Sequence, residues 1–238
     1  MIGYRINDSL GAIACKFRGN GQTCISANRI YVHSSVYAEF ASRLAEKVAA
    51  FKTGDGLLSD TYVPSATSCL HSLNISCSTN GPLIHDKAVG KVVKHVEDAV
   101  SKGAQILVGG KRPDAPGSFY EPTVLSDVPA GRLTFFGQEE TFGPVAALIK
   151  FETEKEVIEL ANDTDVGLGG YFYSRDIGRT WRVAEALEVG MVGINTTVIS
   201  GSSLPFGGVK ESGLGREGGH GIIEYMQEKV LAFGGLDK

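Results

Sequence analysis

An α/β fold with a largely parallel sheet is predicted by three features of this 238-residue chain. Strand-like and helix-like stretches alternate: 145–151, 154–162, 168–173, 176–188 and 191–195 read as strand, helix, strand, helix, strand. The spacing supplies the helical crossover that a parallel pair of strands needs, with right-handed connections. Composition agrees, with 42% hydrophobic and 21% charged residues. A chain of this length and balance can bury a core without disulfide or metal staples.

Taken in order, 8–18 reads as the end of a helix capped by Asp8 or Ser9. Residues 29–33, Arg-Ile-Tyr-Val-His, are β-rich. Tyr37, Phe40, Leu44, Val48 and Phe51 recur at helical spacing, with Glu39, Arg43 and Lys47 on the other face. Residues 59–80 are rich in Ser, Thr and Cys, show neither period, and read as a surface excursion. A second amphipathic helix is predicted over 86–102, its stripe formed by Val89, Val92, Val93, Val96 and Val100. Within it His95 reads as a surface residue between Lys94 and Val96. Gly103 stops that helix and 105–108 is a short strand. After a Gly-rich stretch, 217–226 reads as helix. Residues 228–233 read as a terminal strand without a local partner, of the kind another subunit completes.

Several function classes are disfavoured. The formal net charge of −4 argues against nucleic acid as a partner. No window approaches the ~18 apolar residues of a membrane span. The first ten residues lack both a signal core and an Arg-rich presequence, so the expected location is cytoplasmic, or mitochondrial if a leader precedes Met1. Four cysteines without a Cys-x-x-Cys pair, and histidines without ligand spacing, argue against a metal site.

Three motifs carry chemistry. In Phe17-Arg-Gly-Asn-Gly-Gln-Thr-Cys24 the two glycines permit a tight backbone turn before a thiol, which suits a nucleophile for acyl transfer; the rival reading is a buried cysteine serving as apolar filler. In Glu139-Glu-Thr-Phe-Gly-Pro144 adjacent carboxylates point to opposite sides, so they make no acid–base dyad. One carboxylate could accept both hydroxyls of a ribose while Phe142 lies against a flat ring, or the pair is a solvated step into a turn. Gly213-x-Gly215-x-x-Gly218 has the spacing of a dinucleotide fingerprint, but no strand directly precedes it and only 20 residues follow, too few for the rest of that unit.

Gly21-Gln-Thr-Cys24, Glu139-Glu-Thr-Phe-Gly-Pro144, Gly190-Met-Val-Gly-Ile-Asn195 and Pro205-Phe-Gly-Gly208, in this order, resemble the aldehyde dehydrogenase superfamily over nearly the whole chain. Within it, Lys16-Phe-Arg18 and the stretches 167–174, 181–185 and 208–217 are similar to succinate-semialdehyde dehydrogenase. The resemblance implies a catalytic α/β domain over 1–226 and an oligomerisation strand over 227–238, in a homo-oligomer. It implies that Cys24 attacks an aldehyde, that hydride passes to NAD or NADP to leave a thioester, and that water releases the acid. The Cys24 backbone N–H is then expected to help hold the oxyanion. Glu140 is the ribose-binding residue and Phe142 contacts the nicotinamide side. Arg18 and Ser200 hold the substrate's distal carboxylate, an arrangement in which an Arg fork gives bidentate, charge-assisted bonds. Asn195 is implied to be a turn residue.

Departures from the family pattern shape the expectation further. The nucleotide-binding domain is expected to be missing from this chain, and with it the general-base glutamate, the oxyanion-hole asparagine and a second carboxylate-binding arginine. Loss of one oxyanion donor alone costs ~10²–10³ in rate, so the chain alone is expected to turn over weakly or not at all. Removing 62–78 joins 54–61 to 79–84 in a family-like segment, so 62–78 reads as an insertion of translated intron. Two other classes stay open: a non-catalytic assembly partner of a full-length subunit, and a cofactor-independent thiol esterase.

Overall fold

The computed structural model describes residues 2–3, 8–55, 79–232 and 234. In chain order its elements are β1 (Ile2–Gly3), α1 (Asp8–Lys16), β2 (Ile30–His33), α2 (Ser34–Ala49), β3 (Lys52–Thr53), β4 (Thr79–Asn80), α3 (Asp86–Ser101), β5 (Gln105–Val108), β6 (Thr123–Ser126), the one-turn helix α4 (Phe135–Gln138), β7 (Val145–Phe151), α5 (Glu154–Asn162), β8 (Val166–Gly167), β9 (Gly169–Tyr173), α6 (Ile177–Ala186), β10 (Met191–Ile194) and β11 (Val209–Lys210). Tight 3-10 turns lie at Arg18–Gly21, Gly131–Leu133 and Gly221–Tyr225.

Seven strands form the main sheet in the order β10-β9-β1-β2-β7-β6-β5. All neighbours are parallel except β5 and β6. β7 lies inside the sheet between β2 and β6, with every residue buried but Lys150, the near-continuous apolar run of a strand covered on both faces. Its register with β2 pairs Ile30 with Leu148 and His33 with Phe151.

Alternation along the strands divides the core in two. Ile30, Val32, Val124, Ala146, Leu148, Tyr171 and Tyr173 face α1 and α2, where Ala12, Phe40, Leu44 and Val48 complete the layer. Tyr31, Leu125, Ala147, Ile149 and Phe172 face the other way, onto Val89, Val92 and Val96 of α3, Val157 of α5 and Val183 of α6. Each fully buried aliphatic or aromatic side chain contributes about 1.5–3 kcal/mol. The helix starts are capped by side chains. His33 and His85 accept from Ser35 and Ala88 N–H, Thr153 and Glu156 form a reciprocal box, and Asp176 accepts from Arg179 N–H.

The predicted α/β architecture stands, with these local corrections. Ser9 lies inside α1, whose first residue is Asp8. His95 is not a surface residue: it is 2% exposed on the buried face of α3, where Ala99 replaces the expected Val100, which is exposed. Thr79 and Asn80 do not belong to an excursion; they form β4 and pair in parallel with β3. Residues 59–78, including the insertion 62–78, lie outside the described residues. The stretch 217–226 is helical only in the turn Gly221–Tyr225, and residues 226–232 form no strand among the described residues. Phe233 lies outside the described set. The Gly213, Gly215 and Gly218 segment is a run of left-handed turns after β11, which pairs antiparallel with β8, so it opens no nucleotide-binding helix. Among the described residues, no helix is long and apolar enough to cross a membrane.

Candidate active site

The chain leaves the buried end of α1 in an unusual turn. Gly19, Asn20 and Gly21 all have left-handed backbone (φ 59°, 61° and 71°). Glycine adopts this region without strain, and asparagine is among the few other residues that tolerate it. Asn20 is buried and held there: its Nδ2 donates to Gly81 O at 2.8 Å, and its Oδ1 accepts from Asn80 Nδ2 at 2.9 Å. Gln22 Oε1 accepts from Ile84 N–H at 2.9 Å. The segment after β4 thus clamps the turn from one side. Cys24 emerges three residues after Gly21 and is exposed. No described residue accepts from the Cys24 N–H. The rival reading of Cys24 as buried filler is therefore excluded; Cys15 fills that role, buried with its thiol pKa pushed up chiefly by desolvation.

The second predicted motif lies against this turn. A Cβ on Gly21 would stand 2.2 Å from Gly143 O, so the two loops meet backbone to backbone. Asn28 ties them further: its Oδ1 accepts from Thr141 N–H at 3.0 Å, and its Nδ2 donates to Phe136 O and Glu139 O, each at 2.9 Å. Glu140 is exposed, Thr141 is 2% exposed, and Phe142 is 38% exposed with a left-handed φ of 53°. Partial desolvation raises the Glu140 carboxyl pKa, while the positive charges of Lys91 and Lys16 work against that.

Strands β9 and β10 form the floor. Tyr171, buried in β9, donates from its hydroxyl to Ile25 O at 2.9 Å, the carbonyl directly after Cys24. Burial raises the Tyr171 phenol pKa above its ordinary range, Cys15 and Cys24 add to that, and Arg18 opposes it. Arg18 is exposed at the start of the turn that leads to Cys24. Ser200 arrives by a matching anchor. A Cβ on Gly169 would meet Ile199 Cδ1 at 2.9 Å and Ile25 Cγ2 at 3.8 Å. The neighbours of Ser200 and Cys24 therefore pack over the same glycine, and Ser200 itself is exposed. Asn195 is a turn residue (φ 55°) whose amide brackets Ser174, accepting from its N–H and donating to its O.

Some members of this arrangement were not singled out in the sequence. Lys16 is 1% exposed. Burial pushes its ammonium pKa down to about 8, against the pull of Cys15 and Glu140. Tyr171 and Asn28 reach their partners across 146 and 113 residues of chain, a separation that leaves no local pattern to read. His95 did leave one, since it falls three residues after Val92 on the apolar stripe of α3. Chemically, the arrangement offers an exposed thiol beside an unoccupied N–H, a carboxylate and an aromatic ring on the adjoining loop, an arginine at the start of the thiol turn and a serine near the floor.

Comparisons with known proteins bear on this geometry. The aldehyde dehydrogenase family model matches residues 9–231. The chain is 53% identical over 222 residues to a glutarate-semialdehyde dehydrogenase of Pseudomonas putida, an alignment covering 93% of this chain and 42% of the relative. It is 53% identical over 226 residues to succinate-semialdehyde dehydrogenase [NADP(+)] 1 of Schizosaccharomyces pombe, covering 94% and 42%. The crystal structure of succinate-semialdehyde dehydrogenase from Burkholderia pseudomallei superposes with a TM-score of 0.82 at 48% identity, covering 94% of this chain and 44% of that one. The chain spans less than half the length of these relatives.

Proposed function

The chain belongs to the aldehyde dehydrogenase family, and on that premise we propose that it carries the thiol site of an NAD(P)-dependent oxidation of succinate semialdehyde to succinate. One observation carries the reading: the exposed Cys24 follows a clamped left-handed turn whose Gly21 packs directly against Gly143, in the loop that carries Glu140 and Phe142.

In the proposed reaction the Cys24 thiolate adds to the aldehyde carbon, and the oxygen that gains charge accepts a hydrogen bond from the Cys24 N–H. That N–H has no competing partner among the described residues, as an oxyanion donor requires. A bound nicotinamide dinucleotide supplies the hydride acceptor. The exposed residues of the adjoining loop fit such a group. Glu140 offers an exposed carboxylate for vicinal hydroxyls, influenced by the charges of Lys91 and Lys16, and Phe142 offers an exposed ring face. Loss of hydride leaves the acyl group on sulfur as a thioester, and water releases it as the acid. Arg18 and Ser200 take the substrate's far carboxylate, the arginine through a charge-assisted fork. Relatives named for four- and five-carbon semialdehydes support an acidic substrate.

A second reading has its own support. A thiol beside a free N–H can accept an acyl group without any hydride acceptor, so ester hydrolysis by Cys24 is the simpler activity for this chain. Assembly is also part of the proposal. Tyr225, Val230 and Leu231 are 88%, 92% and 66% exposed, apolar surface of the sort a second subunit covers.

Two assays on the purified chain test the reading. One follows reduction of NAD and NADP with succinate semialdehyde; the other follows hydrolysis of a p-nitrophenyl ester without nucleotide. Activity lost in Cys24→Ser supports the thiol site. Activity that survives Cys24→Ser overturns it.

A further inference from the structure

We infer that His95 is a positioning residue: acting through Thr141, it holds Glu140 and Phe142 in the orientation in which they meet the nicotinamide end of the dinucleotide. The inference rests on the cofactor reading of that loop given above.

The buried face of α3 is otherwise built of Val89, Val92, Val96 and Ala99. A polar ring in such a stripe is unfavourable unless its nitrogens are satisfied. His95 Nδ1 lies 3.0 Å from Thr141 Oγ1, and both side chains are buried. Nε2 lies 3.6 Å from Glu139 Oε2, which also sits 3.7 Å from Lys91 Nζ. Phe135 and Phe136 close over the ring, with centroids at 5.4 and 5.6 Å. Every polar partner of this histidine on the facing loop thus belongs to the Glu139–Thr141 step.

The consequence follows from alternation in extended chain. Glu139 is extended (φ −130°, ψ 153°). With Thr141 buried against His95, its neighbour Glu140 alternates to the exposed face, and Phe142, where the chain leaves the extended conformation (φ 53°), is exposed as well. Asn28 fixes the backbone of the same segment. His95 is the side-chain half of this clamp and Asn28 the backbone half.

The test compares wild-type chain with His95→Leu and His95→Gln. Hydrogen exchange is read at residues 139–143 and 19–26, binding of NADH and NADPH is followed by fluorescence, and thermal stability is measured alongside. In His95→Leu, exchange at 139–143 rises about tenfold while 19–26 stays unchanged, and nucleotide affinity falls about fivefold, the scale of one lost hydrogen bond. His95→Gln, which keeps a polar reach to Thr141, recovers most of both; it also carries the comparison if the leucine variant does not fold. Unchanged exchange at 139–143, or equal loosening of both segments together with a fall in melting temperature, overturns the inference. A wild-type chain that binds neither nucleotide overturns the cofactor reading instead, and the exchange pattern still decides whether His95 sets the loop.

Discussion

Gly21 and Gly143 pack so closely that a single methyl group cannot be placed between them: a Cβ on Gly21 would lie 2.2 Å from Gly143 O and 2.7 Å from Gly143 C. Two motifs more than a hundred residues apart are thereby held at backbone contact, and the thiol turn and the carboxylate loop form one surface. Gly21→Ala must both strain a left-handed residue (φ 71°) and separate the loops. The expected cost is at least about 2 kcal/mol, read by urea denaturation, with loss of Cys24 reactivity. A variant of wild-type stability and reactivity would show that the contact does not organise the site.

Tyr171 supplies the support beneath the thiol. Tyr171→Phe removes the 2.9 Å donor to Ile25 O and leaves that carbonyl only the long, weak contact from Cys15 Sγ at 3.9 Å. The expected loss is about 1–2 kcal/mol in equilibrium unfolding, with slower ester hydrolysis. An unchanged hydrolysis rate would reduce Tyr171 to a packing residue.

Lys16 gives a pH signature. Its ammonium is buried and its pKa falls from 10.5 to about 8 on folding. Between these values the unfolded chain binds more protons than the folded one, so the Lys16 contribution to stability rises with pH across that window and is lowest below pH 8. Lys16→Met removes the burial cost. It is expected to be more stable than wild type at pH 7 by an amount on the order of 3 kcal/mol, with the advantage shrinking toward pH 10. A stability difference that does not change between pH 7 and pH 10 would contradict this account. The same variant is expected to bind nucleotide more weakly, because Glu140 loses a neighbouring positive charge.

Substrate selection is tested without turnover. Succinate, which carries the far carboxylate, is expected to protect wild-type Cys24 from alkylation, with roughly tenfold or greater weakening of protection in Arg18→Ala and little effect of a neutral alcohol of similar length. Equal protection in wild type and variant would remove Arg18 from the carboxylate site.

How much of this was legible in the sequence depended on the range of the interactions. α5 was readable to its end residues because its apolar period and the Thr153–Glu156 box lie within one segment. β7 was readable because a strand covered on both faces is continuously apolar. β6 escaped notice: four residues, Thr-Val-Leu-Ser, carry little signal without the neighbours that bury them. His95 was misplaced because flanking Lys94 suggested a solvent face, whereas the ring points inward with Val92 and Val96. The thiol turn could be read because its glycines and cysteine are adjacent. Its supports could not, since Asn80, Asn28, Tyr171 and Ile199 come from distant parts of the chain and converge only when the sheet forms.

In the proposed site Cys24 is presented for reaction while Cys15 is sealed in the core. The direct measurement is iodoacetamide labelling of the folded chain with the modified sulfur identified by peptide mass spectrometry. Cys24 is expected to be alkylated at least about tenfold faster than Cys15, in parallel with loss of ester hydrolysis. Labelling of Cys15 with Cys24 left intact, or hydrolysis that persists after Cys24 is fully modified, would contradict it.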